Sequence, residues 1–412
     1  MKQDRENLIT VLDAGSAKVC VLVAEVQDGV LRYRGHGIGK AKGMRKGLIA
    51  DLGPAAEVIN ETALTAERIA KAPIESAIVG IGGTHVRGVN SRGGISMGNR
   101  MREITREEVR AAVDRARSIP LPPDREVLHL LPQDFIVDDQ GGIHDPVGMV
   151  GTKLEVNLHI STCSGGAAQS VITCANKAGL EVKDTVYEGI ASAESVLSAD
   201  ERELGVCLAD IGASTTELAV FFEGSIAHTA VLPIGGEHFT NDLAVGLHVS
   251  VEEAEHLKRE YGSCVVTSVP SANEVEVGGS LTAGVGGGAQ PGRMVRQRFL
   301  AEILEPRARE LMQMLRDNLR QGGVLEALGA GVVLTGGGAR LAGLLDVSES
   351  LLRVPARVGF PVPLSRMPQE LAQPEFAAAV GMLLYTHRTQ IRRAAEEQGL
   401  RAKLKAIFAG SF

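Results

Sequence analysis

The stretch Val206-Cys-Leu-Ala-Asp-Ile-Gly-Ala-Ser-Thr-Thr-Glu217 decides how this chain is read. An apolar run of strand length ends at Asp210, Gly212 and small hydroxyls make a tight turn, and a second strand starts at Thr216. The segment Leu8-Ile-Thr-Val-Leu-Asp-Ala-Gly-Ser-Ala-Lys18 has the same grammar, with Asp13 lying 197 positions earlier (210 − 13). A second landmark agrees. Asp28-Gly29 and Glu223-Gly224, the next turn in each half, lie 195 positions apart (223 − 28). Two landmarks at nearly one offset indicate an internal duplication, each half opening on a strand–turn–strand unit.

Composition bounds what such a duplicated chain can be. Its 412 residues exceed one ordinary hydrophobic core, so two or more domains are expected. Hydrophobic residues at 44% and charged residues at 23% are those of a soluble globular protein. Aromatics at 3%, without Trp, argue against a stacking platform for single strands, and a net charge of −7 argues against a global field attracting nucleic acid or membrane, so any such contact must come from a local patch. The five cysteines (Cys20, Cys163, Cys174, Cys207, Cys264) are scattered and show no Cys-x-x-Cys spacing. That fits a reducing compartment without a disulfide framework. Charges at Lys2–Glu6 precede an apolar run that Asp13 interrupts, so no signal peptide is expected. No run of about 18 apolar residues is present to span a bilayer.

Working outward from the two hairpins, residues 8–39 read as three consecutive strands. A helix over 55–71 follows, with Val58, Ala63, Leu64 and Ile69 at helical spacing, then a strand over Ala77–Ile81. The order β-β-β-α-β suits a sheet covered by helices. Residues 86–160 read as a small α+β insertion. Its capping box Thr105-Arg-Glu-Glu108 opens a helix with Val109, Ala112, Val113 and Ala116 on one face, and Pro120, Pro122 and Pro123 stop it. Short strands are expected around 126–137 and 153–161, and helices over 165–179 and Glu188–Leu197, the latter rich in small residues. The second half continues with helices at about His238–Gly246 and Val251–Tyr261, a glycine-rich loop over 278–292 and a long helix over about 295–320. Gly331–Arg340 gives a strand feeding a triple-glycine turn, and Glu375–Tyr385 an apolar helix.

Three glycine turns beside strand ends are suited to a phosphate chain. Backbone N–H groups reach a phosphate only where no side chain obstructs them. Gly15 and Gly212 meet that need, and Ser16, Ser214 and Thr215 add small hydroxyls. Asp13 and Asp210 have the chemistry to hold Mg²⁺ through its waters, and Lys18 offers a point charge to a phosphate. Gly336, Gly337 and Gly338 suit close contact with a nucleotide's sugar or α-phosphate. A single Asp-x-Gly turn signifies little, but the conjunction of three makes nucleotide binding the leading expectation.

These motifs resemble the actin/Hsp70/sugar-kinase superfamily. Leu12–Lys18 is similar to its first phosphate loop, Leu208–Glu217 to the second, and Val333–Leu341 to its adenosine motif. Ile190–Leu197 and Phe376–Leu384 are similar to its two connecting helices. Within the superfamily the chain resembles the FtsA family of bacterial actin-like cell-division proteins. The specific match is Leu121-Pro-Pro-Asp-Arg-Glu126, Leu128–Val137, Asp145-Pro-Val-Gly-Met149, Leu154-Glu-Val156 and His159-Ile160, which resemble the family's subdomain 1C.

The resemblance implies an α/β actin-like duplicated fold, two lobes around a cleft for ATP with Mg²⁺. Subdomain 1A would take residues 1–85 and 162–195, 1C residues 86–161, 2A residues 196–235 and 325–387, and 2B residues 236–324. It implies that the residues of the two phosphate turns face phosphates, that Gly336–Gly338 contact the ribose side, and that Glu255 and Lys258 belong to an adenosine-contacting helix in 2B. The implied partners are the C-terminal peptide of FtsZ at 2B, further copies of the chain in an actin-like filament, and later division proteins through 1C. The implied place is the cytoplasmic face of the inner membrane at the septum. Arg293, Arg296 and Arg298, on an expected basic helix face, could meet an acidic peptide.

The end of the chain carries its own signal. After a charged linker over 388–398, residues 399–412 place Leu400, Leu404, Ile407 and Phe408 on one helical face. Arg401, Lys403 and Lys405 flank that face without an acidic residue, the pattern of a helix lying at an anionic membrane surface. A sugar or acyl kinase would need a positioned base, and its candidates Asp134, Asp138 and Asp139 fall in the insertion. A PilM-type pilus assembly protein has a similar insertion but no such tail, and a chaperone would add a substrate domain. For slow ATP turnover the nearest water-orienting residue is Glu194; no other catalytic residue is assigned. His129 and His159, in strand-like segments, read as structural.

Overall fold

The computed structural model describes residues 7–278 and 292–391. The core of the glycine-rich loop and the tail bearing Leu400, Leu404, Ile407 and Phe408 lie outside the described residues. Each half builds a five-stranded sheet of one topology. In the first, the spatial order is Glu181–Tyr187, Ser76–Ile81, Leu8–Ala14, Lys18–Gln27, Val30–Lys40. In the second it is Ala356–Val358, Gly331–Thr335, Val206–Ile211, Thr216–Phe222, Ser225–Leu232. In both, the three hairpin-linked strands are antiparallel and the two outer ones are parallel additions.

The opening strands are buried on both faces, which is why they read as nearly unbroken apolar runs. Ile9, Val11, Cys20 and Leu22 face Val380 and Leu383 of the helix over 377–391, while Leu12, Val19 and Val21 face Ile59 and Ala63 of the helix Leu52–Ala70. The helices Glu188–Val196 and 377–391 join the lobes at a crossing made possible by small residues. A Cβ on Gly381 would overlap the Ala191 carbonyl.

The same device explains a misread helix face. Leu64 and Ile69 are 55% and 43% exposed instead of packed inward. The inward stripe is Ala55, Ile59, Thr62, Ala66 and Ala70, because the helix backbone rests on Gly35, Gly37 and Gly39 of the neighbouring strand. Small residues on both sides permit that approach, and large ones are driven outward.

The insertion is a four-stranded antiparallel sheet in the order Gln140–Ile143, Arg125–Val137, Lys153–Ser164, Arg87–Ser96, covered by the helix Arg106–Arg117. Its two central strands are 13 and 12 residues long, longer than expected. The Arg87–Ser96 strand escapes sequence reading because its arginines, glycines and polar residues show no apolar alternation. Although inserted in the first lobe, this sheet docks on the second. Gln133 Nε2 donates to the Ile226 carbonyl at 2.8 Å and Asn90 Nδ2 to the Ala227 carbonyl at 2.9 Å. His159 Nε2 lies 2.9 Å from Thr229 Oγ1, so the structural role expected of this histidine is to join insertion and lobe.

The expected basic helix face is divided. Arg293 and Arg296 lie in a short strand, Arg293–Arg296, paired with Glu274–Val277, and only Arg298 is on the helix Gln297–Gln321. No helix among the described residues is long and apolar enough to cross a membrane.

Candidate functional site

The two Asp-bearing turns face each other at the seam between the lobes. Asp13 ends its strand 5% exposed, and Lys18, beginning the next strand, brings its Nζ to 3.7 Å from Asp13 Oδ2. Lys18 Nζ also donates to the Glu375 carbonyl at 2.5 Å and lies 5.1 Å from the Phe376 ring centre. Burial alone would lower this ammonium. The carboxylates of Asp13, Asp210 and Glu375 outweigh it and hold the group above its ordinary value. Asp13 is itself raised, since its burial outweighs the pull of Lys18.

From the second lobe, Asp210 Oδ2 accepts from Ser192 Oγ at 2.5 Å. Burial raises its carboxyl to about 6, against the Ser192 hydrogen bond and Lys18. A Cβ on Gly336 would overlap Asp210 Oδ1, and one on Gly337 would sit 3.8 Å from Glu375 Cβ, so the triple-glycine turn adjoins both groups. The Gly212 N–H closes its turn on the Thr215 carbonyl at 2.9 Å, and the Gly212 carbonyl accepts from the Gly236 N–H at 2.9 Å. Ser214 Oγ donates to Glu237 Oε2 at 2.7 Å.

The helix Val251–Tyr261 completes this arc. Lys258 Nζ donates to the Gly236 carbonyl at 3.0 Å and to Glu255 Oε2 at 2.6 Å, and Thr240 Oγ1 donates to the same carboxylate oxygen at 2.5 Å. Burial raises Glu255 less than its bonds to Lys258 and Thr240 lower it. These contacts link Asp13 and Lys18 through Glu375 to the triple-glycine turn and Asp210, and the Gly212 turn to Gly236 and Lys258.

Two carboxyls escaped sequence reading. Glu217 stands opposite Asp210 in the hairpin register, so both point to one side of the sheet; that register was the available signal. Its Oε1 accepts the Gly83 N–H across the seam at 2.8 Å, while its buried Oε2 has no partner at hydrogen-bond geometry among the described residues. Burial lifts Glu217 to about 8. Glu188, first residue of a connecting helix, packs against Gly80 and Gly82 and is raised well above its ordinary value by burial and by Asp13, Glu217 and Asp210. Glu194 is not at this site. It pairs with Arg202 at 3.3 Å and with Arg388 at 3.0 Å. Six residues beyond Glu188, it is about 9 Å further along the helix and on another face.

Asp13, Asp210, Glu188 and Glu217 thus line the seam, with Lys18 beside Asp13 and Glu375, and the buried Oε2 atoms of Glu217 and Glu375 have no hydrogen-bond partner among the described residues. The chemistry of that donor set fits a cation accompanied by phosphate oxygens. Among the described residues no three His, Cys, Asp or Glu side chains are grouped to grip a metal directly.

Duplicated sheets, crossing connecting helices and facing loops at the seam define an actin-like protein. A model of the cell division protein FtsA matches residues 207–381, and one of the SHS2 domain inserted in FtsA matches residues 83–162. The cell division protein FtsA of Pseudomonas aeruginosa is 38% identical over 379 residues, covering 92% of this chain and 89% of that protein. The chain belongs to the FtsA family of cell division proteins. Among solved structures it is similar to the PilM–PilN type IV pilus biogenesis complex, with TM-score 0.63 and 18% identity over 92% of this chain and 98% of that one. MreB5 of Spiroplasma citri bound to ADP is similar with TM-score 0.55 and 14% identity, covering 95% and 98%. At such identities the likeness is one of fold alone.

Proposed function

We propose that this protein binds ATP with Mg²⁺ in the seam between its lobes and uses the nucleotide to govern assembly at the membrane. The observation that carries the reading is the facing pair Asp13–Lys18 and Asp210–Gly336, with the unpartnered oxygen of Glu217 beside them. A bound Mg²⁺ would bring positive charge opposite the carboxylates of Asp13 and Asp210. Asp13 and Asp210 would hold it through water. Lys18 would exchange the Glu375 carbonyl for a phosphate oxygen, with Gly15 and Ser16 on one side and Gly212, Ser214 and Thr215 on the other. Gly336–Gly338 would meet the sugar side, and Glu255 and Lys258 the adenosine. Glu188, not Glu194, is the carboxyl at hand to orient a water for slow hydrolysis.

Lys18→Ala tests this reading. Loss of a charge-assisted hydrogen bond is worth about 1.5–3 kcal/mol, so ATP affinity should fall about 10- to 100-fold. Equal ATP affinity in the two proteins, measured by titration with Mg²⁺, would sink the assignment.

The remainder of the role rests on family membership and on the tail's residue pattern. The protein would polymerise like actin, bind the FtsZ C-terminal peptide through residues 236–324, and recruit later division proteins through 86–161. Leu400, Leu404, Ile407 and Phe408 would hold it to anionic lipid at the inner face of the septal membrane. A single short helix binds reversibly, and a filament carrying many gains avidity of about 10²–10⁴. Vesicle co-sedimentation of Phe408→Glu checks the tether, which predicts loss of bound protein.

A further inference from the structure

The strands Met44–Arg45 and Leu48–Ile49 pair through a two-residue turn, Lys46-Gly47. Both turn residues have positive φ, 54° and 74°, the tight type I′ geometry that glycine readily adopts and lysine does not. The tip is wedged into the seam. The Gly47 N–H donates to Ser16 Oγ, on the first phosphate turn, at 2.9 Å. A Cβ on Gly47 would come within 2.9 Å of Gly83 Cα, and the Gly83 N–H is the one that donates to Glu217. A basic run surrounds the tip. Lys40 reaches across the seam to Glu252 at 4.0 Å, while Lys42, Arg45 and Lys46 are exposed.

Lys46 is one backbone step from the N–H bonded to Ser16, and its stem spans roughly 6 Å, so its ammonium can reach any phosphate that Ser16 touches. Position along the seam selects which phosphate. Gly337 and Glu375 adjoin Lys18 at one end, the end suited to sugar. Gly83, Glu217 and Glu188 mark the opposite end, and the Lys46 carbonyl sits there, 3.4 Å from where a Cβ on Gly83 would lie. A triphosphate that started at the glycine turn would end on the side of the seam where Lys46 lies.

We propose that Lys46 recognises the terminal phosphate and makes the first lobe distinguish a nucleoside triphosphate from a diphosphate. Resting on the nucleotide assignment above, this deepens it: Lys18 serves both nucleotides, and Lys46 serves only the longer one. The hairpin then couples the third phosphate to Ser16 on one side and, through Gly83, to the Glu217 carboxylate of the other lobe.

The test compares ATP and ADP affinities of the full chain with Mg²⁺, for the unaltered protein and for Lys46→Ala, Lys46→Gln and Lys42→Ala, each checked for native circular dichroism. For both Lys46 variants, ATP affinity should fall about tenfold and ADP affinity less than twofold, as expected for one charge-assisted contact. Lys42→Ala should change neither by more than about twofold, which separates a local contact from the general field of the basic run. Equal weakening of both nucleotides, or of neither, by the Lys46 variants would overturn the proposal. An unaltered protein that binds neither nucleotide would instead overturn the nucleotide assignment, and this inference with it.

Discussion

The two hairpins share a fold but not a chemistry. Asp13 faces Cys20 across the first, and Asp210 faces Glu217 across the second. These are matching positions, since adding the 197-residue offset to 20 gives 217, and adding it to 18 turns Lys18 into Thr215. The first lobe therefore keeps a cation and a neutral partner for its aspartate. The second has Thr215 in place of the cation and an acid, Glu217, whose Oε1 reaches Gly83 of the first lobe. One duplicated scaffold has divided its labour: one turn supplies positive charge, and the other supplies the carboxyl that spans the seam.

The largest expected effect comes from erasing that difference. Cys20 is fully buried beside Asp13, and burial, then the Asp13 charge, pushes its thiol up to about 12, so it stays neutral. Cys20→Glu would place an unpaired acid there and should cost about 3–5 kcal/mol of stability. Urea unfolding measures it, and a loss under about 1 kcal/mol would mean that the first hairpin tolerates the second's chemistry.

Glu217→Gln sharpens the comparison from the other side. The carboxyl of Glu217 is raised to about 8 in the folded protein, above its ordinary 4.5. Its favourable contribution is full below about 4.5 and is lost as pH rises through about 8. The amide keeps the oxygen that accepts from Gly83 and never ionises. Relative to the variant, the unaltered protein should lose more than about 1.4 kcal/mol between pH 5 and pH 8, the worth of one pKa unit. Parallel stability curves would refute the assignment of Glu217 as a buried neutral acid.

Ser192→Ala gives the smallest effect. The hydroxyl lowers Asp210 against a burial that lifts it to about 6. Without it the carboxyl rises further, and Mg²⁺-dependent nucleotide binding, which needs the ionised form, should develop at higher pH. The loss should be about 1 kcal/mol near pH 6 and vanish by pH 8. Titrations across that range show whether the midpoint moves.

What could be read without coordinates was whatever is local. Asp210, Gly212 and Ser214 sit within one hairpin, and the duplicated spacing carried the reading of Asp13, Gly15 and Lys18. The Thr105–Glu108 capping box set the start of the insertion helix correctly, because a cap depends on residues three apart. Reading failed where a distant backbone decides which side of a helix is buried. Leu64 and Ile69 have helical spacing, but three glycines on a neighbouring strand turned the small face inward. Glu194 and Glu188 share one helix, and only tertiary packing brings Glu188 against Gly80 and Gly82 while Glu194 pairs with Arg202 and Arg388.

The sequence by itself determined the duplicated sheets, the three glycine turns and the inserted α+β unit, since hydrophobic period and turn chemistry act over a few residues. Tertiary structure alone decided that Gly83 meets Glu217, that the Lys46-Gly47 tip rests on Ser16, and that the insertion bonds to the opposite lobe. Those contacts join segments 31 to 137 positions apart in the chain. No pattern within either segment encodes its partner; the packing of the two lobes brings them within hydrogen-bond reach.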